Sequence, residues 1–255
     1  MKIAIYIPAY NAERFLPGVL HRIPEDFLAR TAEIIVVDNA STDDTSGIAR
    51  RTAQELGLDR RLTFTVIRNE QNMGYGGSQK IAYAHCLRQG HDIVVMLHAD
   101  GQYAPELLDT IVEPLCSGAA ADMSFGSRLA GDPLAGNMPM HRLLGNKFLT
   151  GLANLLLGWN LTEFHSGYRA YRCDALARLP LERNAGYYHF DVEILIQCRV
   201  FGLRVVEVPI PTHYGDEDNH LNIWRTGFSI LGVLGEYALH RTGLQRCDKY
   251  LPVTQ

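Results

Sequence analysis

A chain of 255 residues that is 47% hydrophobic and 20% charged can build one large core, which excludes disorder as its main state. Lysine and arginine number 24 against 28 aspartates and glutamates, and a net charge of −4 gives no sign of the basic surface that nucleic-acid binding needs. Cys86, Cys116, Cys173, Cys198 and Cys247 include no C-x-x-C pair and read as reduced; with no secretory leader after Pro8 and no apolar stretch of the roughly 20 residues that span a bilayer, a cytoplasmic location is expected.

Short apolar runs alternate with helical segments through the first half, the pattern of a parallel sheet flanked by helices. Strands are predicted over Lys2–Ile7, Glu33–Val37, Thr63–Ile67 and Asp92–Leu97. Helices are predicted between them, over Ala12–Ile23, Asp43–Leu56 and Gly76–Gln89; the second has a Ser41/Thr42/Asp43 cap and a stop at Gly57. The second half is less regular. It offers a strand over Asp122–Gly126, helices over His141–Leu157 and Asp191–Phe201, a strand over Arg204–Val208 and a final helix over Ile223–His240. An α/β fold in one domain is expected, with a sheet-building half at 1–126 and a site-completing half at 127–240.

Ligands of open α/β sheets bind beyond the carboxyl ends of the strands, and those loops are chemically unusual here. Pro8-Ala9-Tyr10-Asn11 follows the first strand, Asp38-Asn39-Ala40-Ser41-Thr42-Asp43 the second and His98-Ala99-Asp100-Gly101-Gln102 the fourth. Asx and glycine residues also make ordinary turns, but Asp38 and Asp100 at the ends of buried strands need a partner, cation or ligand. The segment Asn72-Met73-Gly74-Tyr75-Gly76-Gly77-Ser78-Gln79-Lys80 is glycine-rich, yet Gln79 replaces the third glycine of G-x-G-x-x-G and no G-K-[ST] follows. A dinucleotide fingerprint and a P-loop are both excluded, which leaves a backbone approach to a ligand or a plain turn.

Together with Gly126-Ser127-Arg128, Ser166-Gly167-Tyr168-Arg169 and Glu207-Val208-Pro209-Ile210, these segments resemble the family 2 glycosyltransferases of the GT-A fold. The resemblance is to the dolichyl- and polyprenyl-phosphate mannose or glucose synthases, and it covers roughly the first 210 residues in the family's order. It implies that Pro8, Tyr10 and Asp38 line the base and ribose of a nucleotide-sugar donor, with Asn11, Gly74, Lys80 and His98 also on the donor side. Asp100 and Gln102 would hold a divalent cation, Mn²⁺ or Mg²⁺, on the diphosphate. Arg128 and Arg142 would grip an acceptor phosphate, with Asn146 on the same helical face as Arg142, and Arg169 would sit near the diphosphate or acceptor. Glu163 is either a base or the anchor of an arginine.

Two positions depart from the family. His98 stands where the metal motif has Asp, which predicts weaker metal binding, Mn²⁺ preferred over Mg²⁺ and an acid limb near pH 6.5. Ala12 stands where an acid ends the Pro-x-Tyr-Asn segment, with Glu13 beside it. The loop 212–220, containing His213, reads as a lid or a solvated acidic loop. The expected reaction is inverting, metal-assisted transfer of a hexose from a GDP-mannose- or UDP-hexose-type donor to a polyprenyl phosphate. The alternatives are a soluble hydroxyl acceptor with Glu163 as base, and a non-catalytic nucleotide-sugar-binding module. Peripheral membrane contact through the last helix and a homo-oligomer are both compatible with this.

Overall fold

Residues 1–117, 121–131, 138–211 and 223–252 are described by the structure, a computed structural model. The apolar runs become strands β1 (Ile3–Ala9), β2 (Thr31–Asp38), β3 (Thr63–Arg68), β4 (Ile93–Met96), β5 (Met123–Ser127), β6 (Arg169–Arg172) and β7 (Val205–Pro209). They form one sheet in the order β3-β2-β1-β4-β6-β5-β7, in which β6 is antiparallel to both neighbours and the other pairs are parallel. The central strands β1, β2, β4 and β5 are buried almost throughout, as expected of a sheet covered on both faces.

The helices are α1 (Leu16–His21), α2 (Glu25–Leu28), α3 (Thr45–Glu55), α4 (Gly74–Gln89), α5 (Leu108–Cys116), α6 (Met140–Leu157), α7 (Cys173–Leu176), α8 (Phe190–Val200) and α9 (Ile223–Arg241). Alternation along β1 divides the core in two: Ile3, Ile5 and Ile7 pack with α1, α3 and α5, while Ala4 and Tyr6 pack with α4, α6, α8 and α9. Gly57 adopts φ +64° beyond α3, the left-handed stop expected there.

Three elements differ from the sequence reading. The helix expected over Ala12–Ile23 is shorter, only α1, with Pro17 in its first turn; α2 lies beyond the expected range and follows Pro24 as its N-cap. Helix α5 was not anticipated, as Pro114 interrupts its pattern. Strand β6 was not anticipated either: Arg169-Ala170-Tyr171-Arg172 is short, and its end arginines hide its place between β4 and β5. No helix among the described residues is long and apolar enough to cross a membrane. Residues 212–220, including His213, lie outside the described residues.

Candidate active site

The carboxyl ends of β1, β2, β4 and β5 and the start of antiparallel β6 lie along one edge of the sheet, so the strand-end motifs share one rim. The loops after β1 and β2 are stitched together. Asn11 Oδ1 accepts the Thr42 N–H at 2.8 Å, the Asn11 N–H donates to Ser41 Oγ at 3.0 Å, and the Ala12 N–H donates to Thr45 Oγ1 at 2.8 Å. The Glu13 N–H donates to Asp43 Oδ2, and Glu13 in turn accepts the Asp44 N–H at 2.9 Å, so the displaced acid fastens the second loop. These bonds hold Asn11 at φ 50° and Ala40 at φ 61°, a conformation that non-glycine residues seldom adopt.

Asp38 is fully buried, accepting the Ser41 N–H at 2.8 Å and the Ser46 hydroxyl, with Arg68 Nη1 3.5 Å away. Burial works against its charge, but these donors outweigh it and hold the carboxyl below its usual range. Asp38 and Asn11 therefore shape the rim, while Tyr10, 47% exposed, and half-buried Pro8 present surface to a ligand. Asn39 was missed as an organiser: its amide accepts the Met73 N–H at 2.8 Å and donates to Asn72 Oδ1 at 2.8 Å, fixing the glycine-rich loop.

That loop does not offer an open phosphate cradle. Gly76 and Gly77 donate their N–H groups to Gly186 O at 2.9 and 3.2 Å, so the start of α4 is capped by the segment before α8. A Cβ on Gly74 would lie 2.2 Å from Gly186 O and one on Gly76 2.6 Å from Ala185 O, so the glycines allow this approach. Lys80, expected on the donor side, instead donates to the carbonyls of Glu182 and Asn184. Its amine is held by protein carbonyls between α7 and α8.

At the end of β4, His98 and Asp100 part company. Asp100 is partly exposed on the rim and accepts the Gln102 N–H at 3.0 Å, which brings the two expected metal-site residues together. His98 is caged: its Nε2 lies 3.3 Å from Tyr75 Oη, its ring packs edge-on against Tyr103 at 4.9 Å, and a Cβ on Gly167 would come within 2.5 Å of Nε2. Burial pushes the imidazole below its usual range against the pull of Asp100 and Asp191. Tyr188, stacked on Tyr75 at 5.1 Å and 45% exposed, is a rim residue that the sequence did not single out. Burial and the nearby Asp100 charge push its phenol up.

The second cluster follows β5. Glu163, wholly buried, accepts the Arg128 backbone N–H at 2.7 Å, Arg128 Nε at 3.0 Å and Arg128 Nη2, while Asn146 Nδ2 donates to it at 3.1 Å. Burial opposes its charge, but Arg128 prevails and keeps the carboxyl below its usual range. Of its two expected roles, the geometry is that of the anchor. Next to it, His165 Nε2 is buried with no partner among the described residues, and burial holds the imidazole down at about 4. Arg142 lies on α6 one turn before Asn146 and is partly buried.

Arg169 does not reach the rim. It is fully buried and donates to the carbonyls of Ser166 at 2.7 Å, Asp191 at 2.8 Å and Phe164 at 3.0 Å, with Asp191 Oδ1 at 3.7 Å. The expectation of a diphosphate or acceptor contact is corrected: Arg169 positions the Phe164–Ser166 backbone that carries His165. Asp191 binds the same assembly together, accepting from Gln79 Nε2 at 3.0 Å and Tyr75 Oη at 3.2 Å.

Comparison with known proteins decides the family. The profile described as glycosyl transferase family 2 matches residues 4–179. The chain belongs to this family. It is 31% identical to an undecaprenyl-phosphate mannosyltransferase of Micrococcus luteus over 212 residues, covering 82% of this chain and 83% of that protein. It is also 31% identical to a UDP-N-acetylglucosamine–dolichyl-phosphate N-acetylglucosaminyltransferase of Methanococcus voltae, over 83% and 86% of the two chains. Among solved structures, a glucosyl-3-phosphoglycerate synthase of Mycobacterium tuberculosis in complex with Mn²⁺, UDP and phosphoglyceric acid superimposes with a TM-score of 0.65 at 19% identity, over 93% of this chain and 78% of that one. The same enzyme with Mg²⁺ and UDP gives 0.65 at 20% identity, over 95% and 79%. The fold is therefore GT-A and the protein a nucleotide-sugar-dependent glycosyltransferase, with relatives that glycosylate polyprenyl phosphates.

Proposed function

We propose that this glycosyltransferase moves a hexose from a nucleotide sugar to a polyprenyl phosphate with inversion, the 1–126 half holding the donor and the 127–240 half the acceptor. The observation that carries the reading is the Glu163–Arg128–Asn146 cluster. A hydroxyl acceptor needs a base with a ready lone pair, whereas Glu163 is buried, kept ionised and clasped by Arg128. An acceptor phosphate needs no base, because it arrives ionised and is drawn to fixed cationic donors such as Arg128 and Arg142. A phosphate oxygen attacks the anomeric carbon, the bond from that carbon to the diphosphate breaks on the opposite face, and the nucleoside diphosphate leaves with the electron pair. The relatives named for undecaprenyl and dolichyl phosphate support the acceptor class.

Asp100, with Gln102 beside it, fits a Mg²⁺ or Mn²⁺ that arrives on the donor and takes its remaining ligands from phosphate and water. It does not fit an all-protein metal site, since no group of three metal-ligating side chains is assembled among the described residues. Such a cation neutralises the leaving diphosphate. Tyr10 and Pro8 offer the surface for the base, and Tyr188 faces the same rim near Asp100.

The deciding assay offers GDP-mannose and UDP-hexoses with either a short-chain prenyl phosphate or a panel of soluble hydroxyl acceptors, with and without EDTA. Transfer to the prenyl phosphate, lost with EDTA, is expected. Transfer confined to a hydroxyl acceptor and abolished by Glu163→Gln reverses the reading.

A further inference from the structure

Tyr188 is an exposed aromatic residue that is held still. It stands just before α8, where its carbonyl accepts the Asp191 N–H at 3.4 Å, and two residues upstream Gly186 O takes the N–H groups of Gly76 and Gly77 at 2.9 and 3.2 Å. The backbone on both sides of the tyrosine is therefore tied to protein. Its ring stacks on that of Tyr75, with the centroids 5.1 Å and the planes 23° apart. Tyr75 is fixed in turn by its hydroxyl, which donates to Asp191 Oδ2 at 3.2 Å and lies 3.3 Å from His98 Nε2. One face of the Tyr188 ring is thus covered while the residue stays 45% exposed. Exposed aromatic side chains scattered singly need no explanation; one pinned by its backbone and by one face, at the edge of a candidate active site, does.

The order of the strands selects the part of the donor that meets this ring. The sheet runs β2-β1-β4-β6-β5, so its rim passes from Asp38 and Tyr10 through Asp100 to Arg128. With the base at Tyr10, the diphosphate at Asp100 and the acceptor phosphate at Arg128, the hexose has to lie between Asp100 and Arg128. Its anomeric carbon is joined to the diphosphate on one side and meets the acceptor on the other. Tyr188 is near enough to Asp100 for that carboxylate to raise its phenol. Tyr103, the other tyrosine packed against His98 here, is buried and has no open face. A hexose ring gathers C–H bonds on one side, and the electron-rich face of an aromatic ring attracts them. Tyrosine offers that face at little cost in conformational freedom, the more so when a second ring already supports it.

We propose that the open face of Tyr188 is the platform on which the hexose of the donor stacks. The proposal rests on the donor and acceptor placement given above. The test is calorimetric titration of the full chain with Mn²⁺, comparing UDP with UDP-glucose and GDP with GDP-mannose, and the variants are then titrated with the pair that wild type binds. Tyr188→Ala is expected to leave the affinity for the nucleoside diphosphate within about twofold and to weaken the nucleotide hexose about three- to tenfold. Tyr188→Leu, which covers Tyr75 without offering an aromatic face, should repeat that pattern. Tyr188→Phe, which keeps the ring, should return the hexose affinity to within about twofold of wild type. A tyrosine that only props Tyr75 and the glycine-rich loop would weaken both ligands together, and one without a role would weaken neither. Either result overturns the proposal, as does a wild type that binds neither nucleotide hexose. The titrations contain no acceptor, so the expected donor pattern with no transfer to a short-chain prenyl phosphate would remove the acceptor reading and leave the platform standing. Transfer to the prenyl phosphate by wild type, with equal binding of both ligands by wild type and Tyr188→Ala, would remove the platform alone.

Discussion

Asp100 and Arg169 show how two charged residues within the recognised motifs carry opposite burdens. Asp100 sits partly exposed on the rim with the Gln102 N–H as its hydrogen-bond partner, so Asp100→Ala should leave the unfolding temperature nearly unchanged. Turnover should fall by about 10²–10³, the usual cost of removing one group that offsets charge developing in the transition state. Circular dichroism melts beside a radiolabel transfer assay separate the two effects, and normal turnover in a folded variant would remove Asp100 from the site. Arg169 is the reverse case. Its guanidinium satisfies three buried carbonyls beside Asp191, so Arg169→Met should lower stability by about 3 kcal/mol or more, seen as a lower urea midpoint. A variant with wild-type stability and selectively lost transfer would return Arg169 to the ligand.

Among the elements, the glycines of α4 and α6 divide by what surrounds them. A Cβ on Gly76 would meet Ala185 O at 2.6 Å and Phe190 Cβ at 2.7 Å, one of them backbone and the other held at the start of α8. Gly76→Ala should separate α4 from α8 and cost about 1–3 kcal/mol, with impaired donor binding because the Asn72–Gly74 loop moves with it. Gly151 on α6 has nothing within 4 Å, so Gly151→Ala should add about 0.5–1 kcal/mol of stability. Chemical denaturation of the pair gives opposite signs, and equal signs would refute the packing account. The same contrast explains what the sequence could reveal. Strands β1 to β4 announce themselves as short apolar runs rich in β-branched residues, and the place of Asp100 and Gln102 on the rim was legible because they follow such a run. Arg169 was misplaced and the glycine-rich segment left open between ligand and turn for one reason: residue type and order show that a close approach or a cation is needed, not whether a ligand or the protein's own carbonyls lie opposite. Those carbonyls belong to residues 164–191, which only the tertiary fold brings near.

Across the whole molecule, the titrating groups with the largest consequence for stability include one at the site and one at the far end of the sheet. Near the amino end of β2, Glu33 is buried among His85 Nε2 at 2.9 Å, His91 Nε2 at 2.6 Å and the Thr65 hydroxyl. Burial alone would raise its carboxyl, but the donors from His91, Thr65 and His85 bring it from 4.5 down to about 2. A depressed acid contributes stability that is complete above its unfolded value and is lost as pH falls, here between 4.5 and about 2. His165, held at about 4 by burial against an ordinary 6.5, acts earlier: the unfolded chain takes up a proton that the folded chain refuses, so stability already declines between those values. Each shift corresponds to about 3 kcal/mol, since one unit is worth about 1.4 kcal/mol. Urea denaturation across pH 8 to 2.5 should therefore show a two-stage loss. His165→Asn should flatten the upper stage and spare the lower; Glu33→Gln should flatten the lower, at the expense of some stability near neutrality where an amide faces two N–H donors. The order of the stages identifies the groups, because no exchange of the two residues reproduces it: if Glu33→Gln leaves the slope below pH 4.5 unchanged, the carboxylate is not held by the two imidazoles, and acid unfolding must begin from the surface pairs instead.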